Sequence, residues 1–316
     1  MVSSFAEIHL VQLRKIFYSK QGYCINMKIE KNPICSVIMI NWNSSELTLD
    51  AVESVINSEP KVNFEIIVID NGSRDDEALI LKRLLVEDRC VTRVIFLEEN
   101  LGFSGGANYA IREARGDYYV LVNTDVEVQE GWLDFLFEKV NSESGIAAVS
   151  SNIIENGVEA LTSQVKYLKH IHGCSVIIPK KAWEIIGEFD EVTFFPAYAE
   201  ELDWSYRARN IGFKLLKSNK SIVIHQVGQT SEKNLSKKGT QRLRIFHRVL
   251  FRFINYNLHD WLSKALVLEF YSALKERNFL LLMKAYLYSL LKIRLIIKQR
   301  RIRSQNTLKG IKLLNK

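Results

Sequence analysis

Four strand-length segments, each followed by a polar cluster and then by apolar residues at helical spacing, constrain the fold of this 316-residue chain most strongly. The segments are 36–40, 65–69, 93–97 and 118–122. Their nearly continuous apolar character is typical of strands that are covered on both faces of a sheet. Because strand and helix alternate four times, the sequence predicts an α/β fold with a parallel sheet and right-handed crossovers.

The second half of the chain has a less regular pattern. It predicts strands at 146–149, 174–178 and 221–224, helices at 180–186 and 201–210, and a long irregular loop from Ser150 to His172. From residue 241 onward almost every segment has helical spacing. The predicted organisation is an N-terminal extension (1–33), an α/β domain (34–240) with a nucleotide-binding half (34–130) and an acceptor half (146–240), and a basic helical region (241–316).

Composition and cysteine usage exclude several classes of protein. With 47% hydrophobic and 25% charged residues, the chain is neither collagen-like nor mostly disordered. Its four cysteines form no CxxC pair, which argues against a zinc ribbon and a redox dithiol. Scattered single cysteines favour a reducing compartment. We expect no signal peptide, because the N-terminus lacks a long apolar core followed by a cleavage site.

Charge is divided unevenly along the chain. Residues 241–316 hold 17 Lys and Arg against 3 Asp and Glu, whereas the remaining residues hold 26 against 33. A mildly acidic body with a strongly basic tail indicates a polyanionic partner, either a nucleic acid or an anionic membrane.

Segment 277–298 predicts an amphipathic helix, and the basic tract Lys298–Arg303 follows it. A basic face opposite an apolar face suits a helix that lies in the headgroup plane of an anionic bilayer. A helix that packs on the core with a solvated basic face fits the pattern about equally well, and the basic tract favours the membrane. No uncharged apolar run reaches the roughly 18–20 residues that a membrane-spanning helix needs.

Polar clusters follow all four predicted strands. They are Asn41 and Asn43, Asp70 and Asn71, Asn100 and Gly102, and Thr124 and Asp125. In a parallel sheet these clusters meet at one edge, where ligands bind. A carboxylate such as Asp70 can accept hydrogen bonds from a ribose or a base, and glycines at 102, 105 and 106 allow a phosphate to approach a helix N-terminus. Asp125 and Glu127 offer oxygen ligands to a divalent cation. Together these clusters predict a site for a nucleoside diphosphate and a metal, although each alone is commonly a turn or a solvated strand end.

A second constellation begins at Glu200. Glu200, Glu201 and Asp203 start a predicted helix, where acidic residues interact favourably with the helix dipole. The alternative interpretation is a general base at the mouth of the site. His225 ends a predicted strand and is a candidate third metal ligand, although a lone histidine is more often structural.

At this point the sequence resembles the inverting family 2 glycosyltransferases of GT-A fold, and most closely their bacterial rhamnosyltransferase-like branch. The resemblance runs from about Cys35 to Ser231. The matching segments, in the family's order, are SVIMINWN (36–43), IVIDNGS (67–73), NLGFSGGAN (100–108), VLVNTDVEV (120–128), EELDWSYRAR (200–209), and His225 before GQTS (228–231). The implied fold is a Rossmann-like mixed sheet flanked by helices.

The resemblance also implies residue roles. Glu201 stands where the family usually has an aspartate that serves as general base, with Asp203 as the fallback. Asp125 stands in the metal-binding Asp-x-Asp motif, with Glu127 and His225 as further ligands of Mg²⁺ or Mn²⁺. The residues expected at the nucleotide are Asn41, Asn43, Asp70, Asn71, Asn100, Gly102, Asn108 and Thr124.

The implied activity is transfer of a sugar from dTDP-rhamnose or a UDP-sugar to a glycan or lipid-linked acceptor. It implies a cytoplasmic protein on the inner face of the membrane, attached through 277–303, with no nucleic-acid partner. Three alternatives stay open: a nucleic-acid-binding protein that uses the basic tail, a catalytically silent nucleotide-sugar-binding relative, and a nucleotidyltransferase. The apolar face of the tail argues against the first. The missing N-terminal glycine-rich phosphate loop argues against the third.

Overall fold

A mixed β-sheet with helices on both faces forms the centre of the protein. The computed structural model describes residues 33–82, 84, 92–155, 157–159, 167–226, 236–257, 271, 273–274 and 278–314. Its strands are β1 (Cys35–Asn41), β2 (Phe64–Asp70), β3 (Thr92–Phe96), β4 (Tyr118–Val122), β5 (Val126–Val128), β6 (Ile146–Glu155), β7 (Val158–Glu159), β8 (Ser175–Pro179) and β9 (Lys214–His225). Its helices are α1 (Ser45–Asn57), α2 (Asp75–Leu81), α3 (Gly102–Glu113), α4 (Trp132–Val140), α5 (Lys180–Ile186), α6 (Glu200–Ile211), α7 (Lys237–Asn255), α8 (Phe279–Leu291) and α9 (Ile293–Leu314).

The strand order is β3-β2-β1-β4-β8-β6-β9-β5, with β7 paired to β6. Strands β1 to β4 are mutually parallel, as the sequence predicts. Strand β8 is antiparallel to β4 and β6, and β5 is antiparallel to β9. The predicted α/β fold with a mixed sheet is therefore confirmed.

Alternate residues of the central strands enter two separate cores. On β1, Val37 and Met39 pack with α1 and α4 on one face, whereas Ile38 packs with α3, α5 and α6 on the other. A strand whose two faces are both covered needs apolar residues at every position. This is why the first strands read as continuous apolar runs.

The predicted loop that begins at Ser150 is wrong in its first part, because β6 continues to Glu155. The pattern failed there because the strand carries buried polar residues. Ser151 Oγ lies 2.7 Å from Ser175 Oγ and 2.9 Å from Ser221 Oγ, so the hydroxyl groups satisfy one another across three strands. Residues 160–166 of that predicted loop lie outside the described residues, as do residues 1–32 of the predicted extension.

The single helix predicted over 277–298 is also wrong. Two helices are present, α8 and α9, and the helical path breaks at Lys292 between them. Leu282 and Ile296 are buried against α7, whereas Leu287 and Leu291 are exposed. The segment therefore has one side packed on the core and one exposed apolar side. The contact with a membrane stays a prediction.

A buried charge network joins α9 to the α/β domain. Arg303 Nη1 lies 2.8 Å from Asp203 Oδ1, and Arg303 Nη2 lies 2.8 Å from Asp190 Oδ2. Arg207 Nε donates to Asp203 Oδ2 at 3.0 Å, and Asn255 of α7 donates to Asp203 Oδ1 at 2.9 Å. Arg303 therefore does not face a membrane, and the predicted basic tract contributes one of its cations to the core.

Replacing Arg303 by methionine should destabilise the protein by about 3–5 kcal/mol, because the change removes a buried cation from Asp190 and Asp203 and leaves Arg207 as the one cation paired with Asp203 among the described residues. Urea unfolding of the full chain measures this loss. Arg301→Met is the matched control, since Arg301 is exposed two positions earlier on the same helix. Equal stability of the two variants would contradict a structural role for the network.

Candidate active site

Three polar side chains meet at one edge of the sheet, where β4, β6 and β9 end. Asp125 follows β4, Glu155 ends β6, and His225 ends β9. Strand pairing brings them together, because His225 pairs with Val126 on one side and Ile224 pairs with Ile154 on the other. This convergence depends on the strand order and could not be derived from sequence spacing.

The ring of His225 is held between two carboxylates. Its Nε2 lies 3.5 Å from Asp125 Oδ1, and its Nδ1 lies 2.9 Å from Glu155 Oε1. Burial alone would lower the pKa of His225, but the hydrogen bonds with Asp125 and Glu155 raise it above its usual value. A carboxylate on Nδ1 fixes the ring so that Nε2 points toward Asp125.

Asp125 and His225 fit two ligands of one divalent cation. Two ligands about 2.1 Å from an octahedral ion lie about 3 Å apart, close to the separation of Asp125 Oδ1 and His225 Nε2. Across the described part of the chain, no group of three or more His, Cys, Asp or Glu side chains has the geometry of a metal site. A Mg²⁺ site commonly combines one or two protein ligands with substrate phosphates and water, so a pair is sufficient.

Glu127 is placed differently from the other two predicted ligands. Its side chain is exposed and accepts a hydrogen bond from Gln129 Nε2 at 3.2 Å. It lines, together with Asp125, a cavity of about 410 Å³ between α1 and β5. The carboxylates that line this cavity are Asp50, Glu53, Asp125, Glu127 and Glu130. So acidic a cavity repels a diphosphate unless a cation neutralises it.

Glu155→Gln should weaken Mn²⁺ binding by about 10- to 100-fold, because the change removes the charge that orients and polarises His225. Mn²⁺ titration followed by electron paramagnetic resonance in the presence of a nucleoside diphosphate measures the affinity without a transfer assay. Glu127→Gln is the comparison, because it removes an equal charge beside Asp125 from an exposed side chain whose hydrogen bond is with Gln129. Unchanged affinity in Glu155→Gln would remove Glu155 from this role.

Glu201 lies directly over Gly173. A Cβ at position 173 would overlap the Glu201 carboxylate, so only glycine permits this placement. Burial raises the pKa of the neighbouring Cys174 thiol, and the negative charges of Asp125, Glu155 and Glu201 raise it further. The backbone N–H of Asn123, two residues before Asp125, donates to the carbonyl of Cys174 at 3.0 Å, so the segment that lies under Glu201 also adjoins the loop that carries Asp125.

The two adjacent glutamates have different environments. Glu200 is buried, and burial together with the charge of Glu201 raises its pKa well above the usual value. Its Oε2 is buried and has no hydrogen-bond partner among the described residues. Burial also raises the pKa of Glu201, but the charge of Arg244 opposes this. Of the two, Glu201 is the carboxyl group that is available as a base.

The turn just before α6, which leads into Glu201, has a strained backbone. Tyr198 and Ala199 have φ values of 76° and 80°, a region that residues other than glycine seldom adopt. His247 of α7 donates from Nδ1 to the carbonyl oxygens of Ala197, at 2.9 Å, and Tyr198, at 3.1 Å. The guanidinium group of Arg244 lies 4.8 Å from the centre of the Tyr198 ring. Helix α7 therefore fixes the turn that carries the candidate base.

Asp203, the alternative base, has a different environment. It is fully buried, and both of its carboxylate oxygens are paired with Arg207, Arg303 and Asn255. A carboxylate with no access to solvent and two arginine partners cannot take a proton from an acceptor. The geometry therefore favours Glu201.

The residues predicted at the nucleotide form two groups. In the first, Asn41 Nδ2 donates to Asp70 Oδ1 at 3.1 Å and to Ser73 Oγ at 3.1 Å. Asn43 accepts a hydrogen bond from the backbone of Arg74 at 2.9 Å. Burial raises the pKa of Asp70, and hydrogen bonds from Ser73 and Asn41 oppose the shift. These contacts join the ends of β1 and β2 at the sheet edge.

The second group holds the start of α3. Asn71 Nδ2 donates to Asn100 Oδ1 and to the carbonyl of Gly102, at 3.1 and 3.0 Å. The backbone N–H of Phe103 donates to Pro196 O at 2.8 Å, so a neighbouring loop occupies this helix end. Gly102 is needed because a Cβ there would lie 2.6 Å from Pro196 O. Pro196 therefore occupies the N–H of Phe103, and the phosphate contact at Gly102, Gly105 and Gly106 stays a prediction.

Asn108 and Thr124 lie at different distances from the sheet edge. Asn108 is buried within α3, where it donates to Phe189 O and Glu191 and accepts from Phe189 N. Those hydrogen bonds fix the loop after α5. Thr124 lines the acidic cavity beside Asp125. Only Thr124 of this pair is close to the candidate metal ligands.

Residues 36–190 match the sequence profile described as Glycosyl transferase family 2. Just under half of the chain is therefore similar to the family 2 glycosyltransferases. An uncharacterized glycosyltransferase of Rickettsia typhi is 24% identical over 215 residues, which is 62% of this chain and 63% of that protein. The GalNAc(5)-diNAcBac-PP-undecaprenol beta-1,3-glucosyltransferase of Campylobacter jejuni is 32% identical over 39% of this chain and 38% of that protein. The chain spans from 25% to 63% of the length of the first curated relatives that it matches.

A solved structure resembles almost the whole chain. The mannosyltransferase of Pyrobaculum calidifontis, in complex with GDP-Man and Mn²⁺, has a TM-score of 0.57 and 13% sequence identity. The match covers 98% of this chain and 94% of that protein. At this identity the likeness establishes the fold alone, which is a GT-A fold followed by C-terminal helices.

Several residues of the candidate site escaped sequence analysis. Glu155, Gly173, Arg244 and His247 stand outside the polar clusters at the strand ends. Glu155 reaches the site only because β6 is longer than its apolar run, and Arg244 and His247 only because α7 packs on the turn before α6. The one feature of the sequence that could have indicated any of these four residues was the position of Gly173 directly before a predicted strand.

Proposed function

We propose that this protein is an inverting glycosyltransferase that moves a sugar from a nucleoside diphosphate donor to a hydroxyl group of a glycan or lipid-linked acceptor. The observation that carries the proposal is that one segment, Gly173 and Cys174, lies under Glu201 and is hydrogen-bonded to the loop of Asp125, whose carboxylate faces His225. A base and a diphosphate-binding centre are the two parts that the reaction needs. The similarity to family 2 glycosyltransferases supports the same assignment.

Each part has a defined task in this mechanism. Glu201 accepts the proton of the acceptor hydroxyl as its oxygen attacks the anomeric carbon, and the nucleoside diphosphate leaves from the opposite side. Glu155 orients His225, and α7 keeps the turn before Glu201 in place. Asp125 and His225 would hold a divalent cation, which would supply positive charge against the departing diphosphate.

The donor and acceptor classes rest on resemblance. The rhamnosyltransferase-like motifs favour dTDP-rhamnose or a UDP-sugar as donor. The Campylobacter jejuni relative is named for an undecaprenol diphosphate-linked substrate, and the Pyrobaculum calidifontis structure contains GDP-Man and Mn²⁺. We infer a role in cell-surface polysaccharide synthesis at the cytoplasmic face of the membrane, with Mg²⁺ or Mn²⁺ as cofactor.

Thermal denaturation with UDP, dTDP, GDP and CMP, each with and without Mn²⁺, tests the donor site. A ligand at 100 times its Kd stabilises the protein by about 2.7 kcal/mol, which raises Tm by several degrees. We expect one nucleoside diphosphate to stabilise the protein in a metal-dependent way. If none of them does so, the proposed function is contradicted.

An exposed apolar surface on α8 supports attachment to a membrane. Among the described helices, none combines the length and hydropathy that crossing a membrane requires. Leu280 is 73% exposed, Leu287 60% and Leu291 77%, and all three lie on one side of α8. Exposed cations at Lys284 and Lys298 lie on the same pair of helices. Apolar side chains bordered by lysines complement an anionic lipid surface.

Vesicle sedimentation of the full chain tests this attachment. We expect the protein to sediment with vesicles that contain phosphatidylglycerol but not with neutral vesicles, and Leu287→Glu/Leu291→Glu to remain in the supernatant. The matched control Val192→Glu changes a residue of similar exposure (71%) on the glycosyltransferase domain. A wild-type protein that ignores anionic vesicles at low ionic strength would contradict the attachment.

A further inference from the structure

One side of helix α7 is docked along α6, the helix that carries the candidate base. His247, Phe251 and Asn255 are spaced four residues apart, so they lie on one face of α7. The rings of Phe251 and Tyr206 meet edge to face with their centres 5.8 Å apart, and Asn255 Nδ2 donates to Asp203 Oδ1 at 2.9 Å. His247 is the member of this row that reaches beyond α6, to the turn before it.

The turn before α6 presents three consecutive backbone carbonyls to donors from other elements. The carbonyl of Pro196 accepts from the backbone N–H of Phe103 at 2.8 Å. The carbonyls of Ala197 and Tyr198 share the Nδ1–H of His247, at 2.9 and 3.1 Å. Because carbonyl oxygens only accept hydrogen bonds, Nδ1 must carry the hydrogen. One side-chain donor of α7 therefore satisfies two of the three carbonyls.

His247 is itself fixed by its surroundings. It is 4% exposed, and its ring packs edge to face on the fully buried Phe194, with the ring centres 5.9 Å apart. Burial lowers the pKa of His247, which favours the neutral ring. The turn is therefore held by a rigid donor that adds no charge beside the candidate base.

The backbone of the turn needs such a hold. Tyr198 and Ala199 have left-handed φ values of 76° and 80°, which residues other than glycine keep only where their surroundings enforce them. The carbonyl of Ala199 then accepts from the backbone N–H of Asp203 at 2.9 Å, which closes the first turn of α6. Because Glu201 stands between these two residues, a change in the turn moves the Glu201 carboxylate directly.

The support of the turn comes from outside the part of the chain that resembles the family. The sequence profile covers residues 36–190, and the last of the family's motifs ends at residue 231. Helix α7 begins at Lys237. The motifs therefore include Glu201 but not the helix that holds its turn.

We propose that His247 is a positioning residue for sugar transfer: its Nδ1–H sets the turn that places Glu201, so that helix α7 completes the active site. This inference rests on the proposed function, because it takes Glu201 as the base. It assigns to the C-terminal helices a part in the chemical step besides their packing.

Two substitutions separate the hydrogen-bond donor of His247 from its bulk. His247→Phe keeps an aromatic ring against Phe194 and removes the donor, whereas His247→Asn removes the ring and keeps a neutral donor at the position of Nδ1. In His247→Phe we expect turnover by the full chain to fall about 10- to 100-fold at an unchanged donor KM, because a misplaced base slows the chemical step alone. His247→Asn should recover most of that loss. Release of dTDP from dTDP-rhamnose, or of UDP from a UDP-sugar, with water as the acceptor measures both values.

Hydrogen exchange of backbone amides examines the turn without any assay of transfer. The amides of residues 199–203 should exchange about tenfold faster in His247→Phe than in the wild-type protein or in His247→Asn, since loss of the donor allows the turn to open. Val249→Ala is the matched control, because Val249 is fully buried two positions further along α7 but packs in the cluster formed with α8. It should lower the stability of the protein while leaving these amides and the turnover unchanged.

Four results would overturn the proposal. They are wild-type turnover in His247→Phe, equally slow turnover in His247→Asn, exchange at residues 199–203 that His247→Phe leaves unchanged, and an equal loss of turnover in Val249→Ala. The last result would assign the effect to helix packing. Failure of the wild-type protein to bind any nucleoside diphosphate would instead contradict the proposed function, so the two failures are distinguishable.

Discussion

The Glu201→Gln variant is expected to bind a nucleoside diphosphate with normal affinity and to transfer sugar about 10²- to 10⁴-fold more slowly, the range of general-base catalysis. Glutamine keeps the shape of the side chain that lies on Gly173 but cannot accept the acceptor proton. Nucleotide affinity by calorimetry and the transfer rate in a purified system measure the two effects separately. Normal transfer by this variant would exclude Glu201 as the base.

Glu200→Gln is the matched control for this experiment. Burial and the charge of Glu201 keep the pKa of Glu200 well above its usual value, which favours its neutral form, and glutamine resembles that form. Transfer should therefore stay within several-fold of the wild-type rate. A loss as large as that of Glu201→Gln would assign the base to the pair rather than to Glu201.

The pH dependence of transfer follows from the same environment. A general base must be ionised, so the rate falls as the pH drops through its pKa. Burial raises the pKa of Glu201, and the positive charge of Arg244 lowers it by a smaller amount. The acid limb of the rate profile should therefore lie above the usual pKa of a glutamate, and Arg244→Gln should move it to higher pH.

The parts of the fold that sequence predicted are those in which local pattern and tertiary environment agree. Strand β1 is covered on both faces, so its apolar run reports its burial directly. The end of β6 could not be predicted, because Ser151 is satisfied by hydroxyl groups on two other strands that sequence cannot place. The break at Lys292 was missed because helical spacing continues across it.

In the candidate site, too, the residues that local motifs reveal differ from those that depend on tertiary contacts. Asp125 and Glu201 were predicted because each belongs to a short motif with a chemical meaning. Asn41 and Asn71 were also predicted, but their side chains mainly join one strand-end loop to the next. A polar cluster at a strand end does not reveal whether it faces a ligand or a neighbouring loop. Glu155 and Arg244 depend on distant segments, which no local pattern encodes.

Asp125→Asn should abolish the part of nucleotide affinity that depends on Mn²⁺, a loss of at least about 100-fold if Asp125 is a direct ligand, since even changes behind the ligands cost 10- to 100-fold. Asparagine keeps the size of the side chain while removing the negative charge that faces His225 at 3.5 Å. Calorimetric titration of a nucleoside diphosphate with and without Mn²⁺ measures the metal-dependent part of the affinity.

Asp50→Asn is the control that separates direct binding of the cation by Asp125 from a general effect of the negative charge in the cavity. Asp50→Asn removes a carboxylate from the same acidic cavity without touching His225, so it changes the local charge equally. If the cavity only concentrates cations through its negative potential, both variants should lose a similar, small part of the affinity, which screening by salt would mask. If Asp125 binds the cation directly, only Asp125→Asn should lose the metal dependence, and added salt should not restore it. A Mn²⁺ dependence that survives in Asp125→Asn would exclude the Asp125–His225 pair as the metal site.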